Sequence, residues 1–420
     1  MRRGAAIVAA VTFAASLTAC SSAPEPIRIG ALYPLSGTQG PGGIEEHRGV
    51  ELAADLVNAD GGVDGRPIEL VSLDVPQADA APAAVDLLAD DGISLVVGSY
   101  GSTISSVIAR ATAAEGMVFW ETGAVGMLPG DVRRGELTFR MPPTGGVLGR
   151  NAIAFVADRL ADELGRDPRE LRYGVAFVDD VYGRSVAAGA LAEIDERALP
   201  LVGRFGYDPH DVDMRDVARR IDRAGVDVLF VSAYLQDGIA MREALIAEHV
   251  PLVASIGTSS SYCMPQFGEA LGTDAVGLFA SDKPDADAIA TAGLAPGAAA
   301  LLDRAEAEYR DRWGDEMRSP ALAGFAAAWA LFREVLPNAD ATTGASPSPP
   351  SVAAAARSVN LPLGALPNGS GLRFGAPGTR DAGDNLRAAG VIWEWIRPGE
   401  HVVVWPPAFA THPVEALPIR

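Results

Sequence analysis

The residues with catalytic potential are few, and none of them stands in a catalytic motif. The histidines occur in no nucleophile, metal or phosphate pattern: His47, His210, His249, His401 and His412. Ser259, Ser260 and Ser261 follow a predicted strand, but no G-x-S-x-G turn surrounds them. Residues 40–43 are glycine-rich, yet they lack the Lys-Ser/Thr pair of a phosphate-binding loop. We therefore predict that the protein is not an enzyme and holds no cofactor or metal, and an extracytoplasmic hydrolase is the weakest alternative.

The composition is that of a globular chain with a strong negative charge. Of the 420 residues, 48% are apolar and 21% are charged, and the mean hydropathy is +0.15. These values exclude a disordered chain and a membrane protein with many spans, and the length fits two or three domains. The formal net charge of −20 repels phosphate backbones, so nucleic acid is excluded as a partner. Lys283 is the only lysine.

The N-terminus has the features of an export signal. Two arginines precede an apolar run over residues 5–15, and Leu17-Thr18-Ala19-Cys20 resembles a bacterial lipobox. We predict that residues 1–19 are removed as a lipoprotein signal peptide, that Cys20 carries the lipid, and that residues 20–26 form a tether. The alternative is an ordinary secretory signal that contains a cysteine.

The rest of the chain is expected to be a soluble body outside the cell membrane. If Cys20 carries lipid, Cys263 has no partner within the chain, so no disulfide is expected. No later apolar run approaches the roughly 20 residues that a membrane-spanning helix requires. The predicted location is the outer face of the cytoplasmic membrane, where the N-terminal lipid holds the protein.

Short β-branched runs alternate with segments of helical period, which predicts parallel sheets covered by helices. In the first part, the predicted strands are 27–33, 68–74, 94–98 and 117–120, and the predicted helices are 44–58, 78–90 and 103–115. The segment from Thr138 to Pro143 contains two prolines and is interpreted as a crossover.

A second series of the same kind begins near residue 145. Its predicted strands are 172–177, 199–207, 226–231, 252–256 and 276–280, and its predicted helices are 145–164, 183–196, 214–224 and 238–248. Two long helices, 299–313 and 320–336, are expected to return to the first lobe. Residues 338–351 are predicted to be a flexible surface loop, and 388–396 to be a strand of the second lobe.

The predicted fold class is therefore α/β, with two doubly wound parallel-sheet lobes joined by crossovers. The predicted lobes are residues 27–143 with 284–387, and residues 144–283 with 388–420. Open parallel sheets bind ligands at the carboxyl ends of their strands, so a ligand cleft is expected between the lobes. Hinge closure over a small molecule is the expected motion.

Several stretches, in this order and spacing, resemble one known family. They are IRIGALYPLSG, GVELAADLVNADGGVDGRPIELVSLD, GISLVVGSYGST, EGMVFWETGAV, FRMPPT, FVDDVYGRS, and GLRF followed by AAGVIWEWI. Together they resemble the type I solute-binding proteins of bacterial ABC importers, in particular the branched-chain amino-acid branch. The resemblance covers most of the mature chain.

The resemblance implies a set of ligand contacts. It places the carboxylate-binding position at Ser102, backbone contacts at Gly123, Ala124 and Val125, and ligand-facing aromatic rings at Tyr182 and Tyr234. A helix N-cap is the alternative role for Ser102 or Thr103, and core packing is the alternative for the tyrosines.

The same alignment shows departures from a leucine site. Val125 stands where amino-acid binders often have a threonine, Ser259 stands where they have an acidic partner for the α-ammonium, and Gly42 stands where an aromatic residue commonly covers the pocket. Loss of that aromatic residue predicts room for a larger ligand.

Glu121, at the end of a predicted strand, occupies a family position that is usually small and polar. A carboxylate there predicts a ligand with a cationic or amide group. The alternative is that Glu121 is solvated at the rim or paired with Arg140 or Arg150.

The function implied by the resemblance is capture of an amino acid or a related small polar or amide-bearing ligand, followed by delivery to ABC permease subunits. A ligand-sensing protein of the same fold is the main alternative.

Overall fold

A computed structural model describes residues 24–419 apart from 130, 131, 133, 259, 287, 288 and 341–345. The predicted signal peptide, Cys20 and the start of the tether lie outside the described residues, so these remain predictions. The described chain forms two open sheets with helices on their faces, which confirms the predicted α/β class with two lobes.

The first sheet has five parallel strands in the order β2-β1-β3-β4-β5. The strands are β1 (Ile27–Tyr33), β2 (Ile68–Asp74), β3 (Leu95–Gly98), β4 (Val118–Glu121) and β5 (Thr138–Arg140). Three helices connect the first four: α1 (Gly40–Ala59), α2 (Ala81–Asp90) and α3 (Ser102–Ala114). Strands β3 and β4 are buried along their whole length, as expected for a sheet covered on both faces.

The second sheet has seven strands in the order β12-β11-β10-β9-β8-β6-β7. They are β6 (Tyr173–Val178), β7 (Leu201–Tyr207), β8 (Val228–Ser232), β9 (Ala254–Thr258), β10 (Phe279–Asp282), β11 (Val391–Arg397) and β12 (Glu400–Trp405). Strand β11 pairs antiparallel with both β10 and β12, and the other neighbouring strands pair parallel. The predicted C-terminal strand therefore joins the second sheet, as β11.

The remaining helices cover the second sheet or lie between β10 and β11 in the chain. They are α4 (Gly145–Phe155), α5 (Ala161–Glu163), α6 (Val181–Glu196), α7 (Met214–Ala224), α8 (Leu235–Ala247), α9 (Pro265–Leu271), α10 (Pro296–Trp313), α11 (Ser319–Ala330) and α12 (Pro349–Ser358). The predicted helix 145–164 is continuous through a π-helical turn between α4 and α5.

Two sequence-based interpretations are wrong. Thr138–Arg140, expected to be a crossover, is the parallel edge strand β5, because the prolines follow Arg140 and end the strand without preventing it. The predicted loop 338–351 overlaps helix α12, which begins at Pro349, since proline is compatible with the first helical turn. Helix α9 and strand β12 were not predicted.

Helices from the segment between β10 and β11 pack on the first lobe. Helix α11 lies against α1, and the indole Nε1 of Trp120 in β4 donates to the Ala327 carbonyl at 2.9 Å. The Phe374 ring packs edge-on against Trp120, with ring centroids 5.3 Å apart. The domain boundaries given above remain a prediction, and these contacts agree with them.

The close approach of α1 and α11 depends on Gly49. A Cβ atom at this position would overlap the carbonyl oxygen of Ala321 and lie 2.8 Å from the amide nitrogen of Phe325. Both neighbours are backbone atoms, so neither can move aside as a flexible side chain would.

We expect Gly49→Ala to lower the free energy of unfolding by about 1–3 kcal/mol, because the added methyl group forces the helices apart. Gly297→Ala is the matched control, since Gly297 also lies in a helix and a Cβ there meets nothing within 4 Å. The control should leave stability unchanged or raise it by up to about 1 kcal/mol. Equal effects of the two variants in urea denaturation would contradict this packing.

Candidate functional site

A cavity of about 220 Å³ lies where the carboxyl ends of strands from both sheets meet. From the first sheet it is lined by the segments after β3 and β4. From the second it is lined by the start of α6, the residue that precedes α8, and the segments after β9 and β10. The cavity is thus shared between two separately built sheets, as expected for an α/β ligand site.

Six of the eight predicted ligand-binding residues line this cavity. They are Ser102, Gly123, Ala124, Val125, Tyr182 and Tyr234. Ser259 lies outside the described residues, although its neighbour Ser260 lines the cavity. Glu121 is not among the lining residues. Binding of a ligand by these residues stays a prediction.

Ser102 opens helix α3 and connects two loops of the first lobe. Its Oγ accepts a hydrogen bond of 2.9 Å from the backbone N–H of Gly126. The N-cap of α3 is Gly101, whose φ of 90° favours glycine, so the alternative N-cap role for Ser102 or Thr103 is wrong. The Ser102 hydroxyl lies in the first turn of α3 and lines the cavity, a position suited to an anion.

Glu121 holds the loops that form the cavity wall through hydrogen bonds to their backbone. Its Oε1 accepts backbone N–H groups of Ser99, Gly123 and Ala124 at 2.9, 3.2 and 3.0 Å, and its Oε2 accepts the Ser105 hydroxyl. The side chain is fully buried, and burial raises its pKa to about 7 against the opposing charge of Arg140. Glu121 therefore fixes the loops after β3 and β4.

The two sequence-based interpretations of Glu121 need correction. Glu121 does not face the cavity, because its carboxylate is directed at backbone groups of the loops that form the cavity wall. Nor is it solvated at a rim, and Arg140 acts on its charge without an ion-pair contact within 4 Å. Arg150 bonds Glu193 and Glu196, while Arg140 donates to the carbonyls of Ala124 and Gly126 and pairs with Asp384.

Gly42 does not open extra space. A Cβ atom on Gly42 would overlap the ring of Tyr100, and Tyr100 lines the cavity. Position 42 carries no aromatic residue, but the ring of Tyr100, from the loop after β3, fills the adjacent volume. The glycine at position 42 therefore gives no reason to expect a larger ligand.

Tyr182 and Tyr234 form a pair on the second-lobe side, with ring centroids 5.3 Å apart. The Tyr182 hydroxyl is 2.8 Å from Thr258 Oγ1, and the Tyr234 hydroxyl donates to Asp180 Oδ2 at 2.6 Å. Asp180 also caps helix α6 by accepting the N–H of Gly183. Both rings pack against the core and border the cavity, so packing and cavity lining coexist.

Glu46 is a buried residue that sequence reasoning missed. It lies in α1, and its carboxylate accepts the Thr122 hydroxyl directly behind Gly123. Burial raises the pKa of Glu46 to about 8, while Lys283 acts in the opposite direction. A Cβ on Gly123 would overlap this carboxylate, which explains the glycine in the loop after β4.

Lys283 also escaped sequence reasoning. It follows β10 in the second sheet, yet its Nζ donates to the carbonyl of Gly123 in the first lobe at 3.2 Å. The residue is 5% exposed and lines the cavity. The sequence carried one signal, a single lysine in an arginine-rich chain, placed after a predicted strand.

Cys263 also lines the cavity, but it is poorly suited to act as a nucleophile. Its thiol donates to Asp282 Oδ2 at 2.9 Å, and burial raises its pKa well above the usual value. A protonated, buried thiol is inert compared with a thiolate. Among the described residues, no group of three or more His, Cys, Asp or Glu side chains could hold a metal ion.

The fold and the shared cavity define a class of protein in which two α/β lobes enclose a small-molecule site. Residues 26–388 match the family model for periplasmic binding proteins, and the chain belongs to this family. This confirms the family-level resemblance. None of the helices in the described part of the chain combines the length and the hydropathy of a membrane span.

Individual relatives agree with this assignment. The "Leu/Ile/Val-binding protein homolog 8" of Brucella suis biovar 1 is 29% identical over 405 residues, which is 95% of each chain. An extracellular ligand-binding receptor from Rhodopseudomonas palustris has a TM-score of 0.75 at 16% identity, over 91% of this chain and all of that one. A leucine binding protein from Thermotoga maritima has a TM-score of 0.71 at 16% identity, over 90% and 97% of the two chains.

The buried Glu46 predicts a pH dependence of stability. A raised pKa means that folded Glu46 keeps a proton which the unfolded chain releases above about pH 4.5. Its stabilising contribution is therefore complete below that pH and is lost as the pH rises toward about 8. We expect Glu46→Gln to flatten the fall in unfolding free energy between pH 5 and pH 8 by roughly 1–3 kcal/mol.

Chemical denaturation at several pH values measures this slope. Glu115→Gln, which changes an exposed carboxylate at the end of α3, is the control and should leave the slope as in the wild type. A Glu46→Gln slope equal to that of the wild type would show that Glu46 is ionised in the folded protein.

Proposed function

We propose that the protein captures an amino acid or a related small polar or amide-bearing solute and delivers it to the permease subunits of an ABC importer. The observation that carries this proposal is the cavity shared by both sheets, with Ser102 on one side and Tyr182 and Tyr234 on the other. The name of the Brucella relative and the leucine binding protein from Thermotoga maritima support an amino-acid-type ligand.

The proposed motion is closure of the two lobes about their connections. The chain passes between the sheets after β5, after β10 and before β11, so three segments join the lobes. A solute that contacts both lobes stabilises the closed arrangement, because only there are all its contacts made. Capture therefore requires no catalytic step.

The proposal also includes a location at the membrane and a permease partner. We place the mature protein outside the cytoplasmic membrane, anchored through lipid on Cys20, where a captured solute can be presented to a permease.

Metabolic labelling with a fatty acid tests the anchor, since Cys20→Ala should abolish the label. Loss of uptake in a deletion strain tests delivery, whereas a sensor would alter gene expression and leave uptake intact.

Ser102 provides a direct test of the cavity. In titration calorimetry against amino acids, short amides, ureas and polyamines, we expect one solute class to bind with one molecule per chain. Ser102→Ala should weaken that binding by roughly 10-fold, because a hydrogen bond to a charged group is lost.

Ser106→Ala is the matched control for this experiment. Ser106 is buried in the same helix, donates to the Thr103 carbonyl and does not line the cavity, so its removal should leave affinity unchanged. A folded wild-type protein that binds nothing in the panel, or equal losses in the two variants, would argue against the proposed site.

A further inference from the structure

The buried ammonium group of Lys283 has an unusual electrostatic position. It donates to one uncharged acceptor, the Gly123 carbonyl, and lies 5.9 Å from the centre of the Tyr100 ring. Among the described residues, no carboxylate oxygen comes within the 4 Å of Nζ that would make an ion pair. An ammonium group has three N–H donors, so the described residues use only part of this donor capacity.

The nearby carboxylates are held by other groups. Asp282, the preceding residue, accepts the Cys263 thiol, and Glu46 lies behind the Gly123 backbone, where it accepts the Thr122 hydroxyl. Burial of a charge is unfavourable when no opposite charge lies close to it, and a residue that only filled space would not need that charge.

We propose that Lys283 is the charge partner of a carboxylate group on the solute, and hence a residue that determines specificity. This inference rests on the proposed function. Lys283 lines the cavity, and its ammonium group is anchored by one hydrogen bond to the loop after β4, which leaves further N–H donors for a ligand. A charge-assisted bond in this desolvated place is stronger than the same bond at an exposed surface.

The other charged side chains that line the cavity limit the class of solute that it can bind. Five acidic residues also line it, against one further cation, Arg318: Glu45, Glu269, Asp282, Asp285 and Asp315. This acidic excess opposes a solute whose only charge is negative. A solute with both a carboxylate and an amino group satisfies both regions. The carboxylate can be the α-carboxylate of an amino acid or one on its side chain, and both have the same chemistry toward Lys283.

Matched solutes distinguish these two sources. Leucine and leucinamide differ at the α-carboxylate, and glutamate and glutamine differ at the side chain. We expect the wild type to prefer the carboxylate member of one pair by roughly 10- to 100-fold in calorimetry. Lys283→Met should remove that preference, whereas Lys283→Arg, which keeps the charge, should retain part of it.

Because Lys283 is the only lysine, its side chain can also be observed directly in the wild-type protein, without a variant. Protein grown with lysine labelled with ¹³C at Cε gives one lysine side-chain resonance, that of Lys283. We expect this resonance to shift on addition of the carboxylate solute that binds, and to shift less with the amide that matches it.

The outcomes separate the two proposals. If the wild type binds a solute but Lys283→Met binds it equally well with the same preference, or if the lysine resonance is unmoved at saturation, the role of Lys283 is overturned while the proposed function stands. If the folded wild type binds no solute of either pair or of the wider panel, the proposed function fails, and the role of Lys283 fails with it.

Discussion

The cavity depends on one buried carboxylate, that of Glu121. At the end of β4 it accepts backbone N–H groups from the loops after both β3 and β4, together with the Ser105 hydroxyl of helix α3. One side chain thereby fixes the position of Ser102 at the start of α3 relative to Gly123 and Ala124. Burial raises the pKa of Glu121 to about 7, and Arg140 and the three backbone N–H groups oppose this rise.

The loop that Glu121 holds is also the point where the two lobes meet. Gly123 has the Glu46 carboxylate behind it, and its carbonyl accepts the ammonium group of Lys283 from the second lobe. Any side chain at position 123 would displace Glu46. The positions of Gly123, Glu46 and Lys283 therefore depend on one another. The groups that line the cavity at this point thus have their positions set by the cores of both lobes.

The sequence predicted the repetitive part of the fold well and its irregular parts poorly. Strands such as Ile27–Tyr33 and Ile68–Asp74 were predicted with their exact bounds, because a β-branched run between turn residues depends on local pattern alone. The short strand at Thr138–Arg140 was missed, since proline neighbours suggest a break and pairing with β4 is a property of the tertiary structure.

Prediction of the site has the same limit, because contacts that form only in the tertiary structure leave no local sequence pattern. Ser102, Gly123, Tyr182 and Tyr234 were placed on the cavity through the family resemblance, because each follows a strand at the carboxyl edge of its sheet. The direction of the Glu121 side chain could not be derived from its position at a strand end, since the N–H groups that attract it belong to loops. Lys283 was missed because its contact with Gly123 joins residues 160 positions apart.

The most direct test is a crystal structure of the protein with the solute that binds most tightly in calorimetry. We expect one molecule enclosed between the loop after β4 and the rings of Tyr182 and Tyr234, with atoms of both lobes within hydrogen-bonding distance of it. A solute seated on one lobe alone, or outside this cavity, would contradict capture by closure of the two lobes.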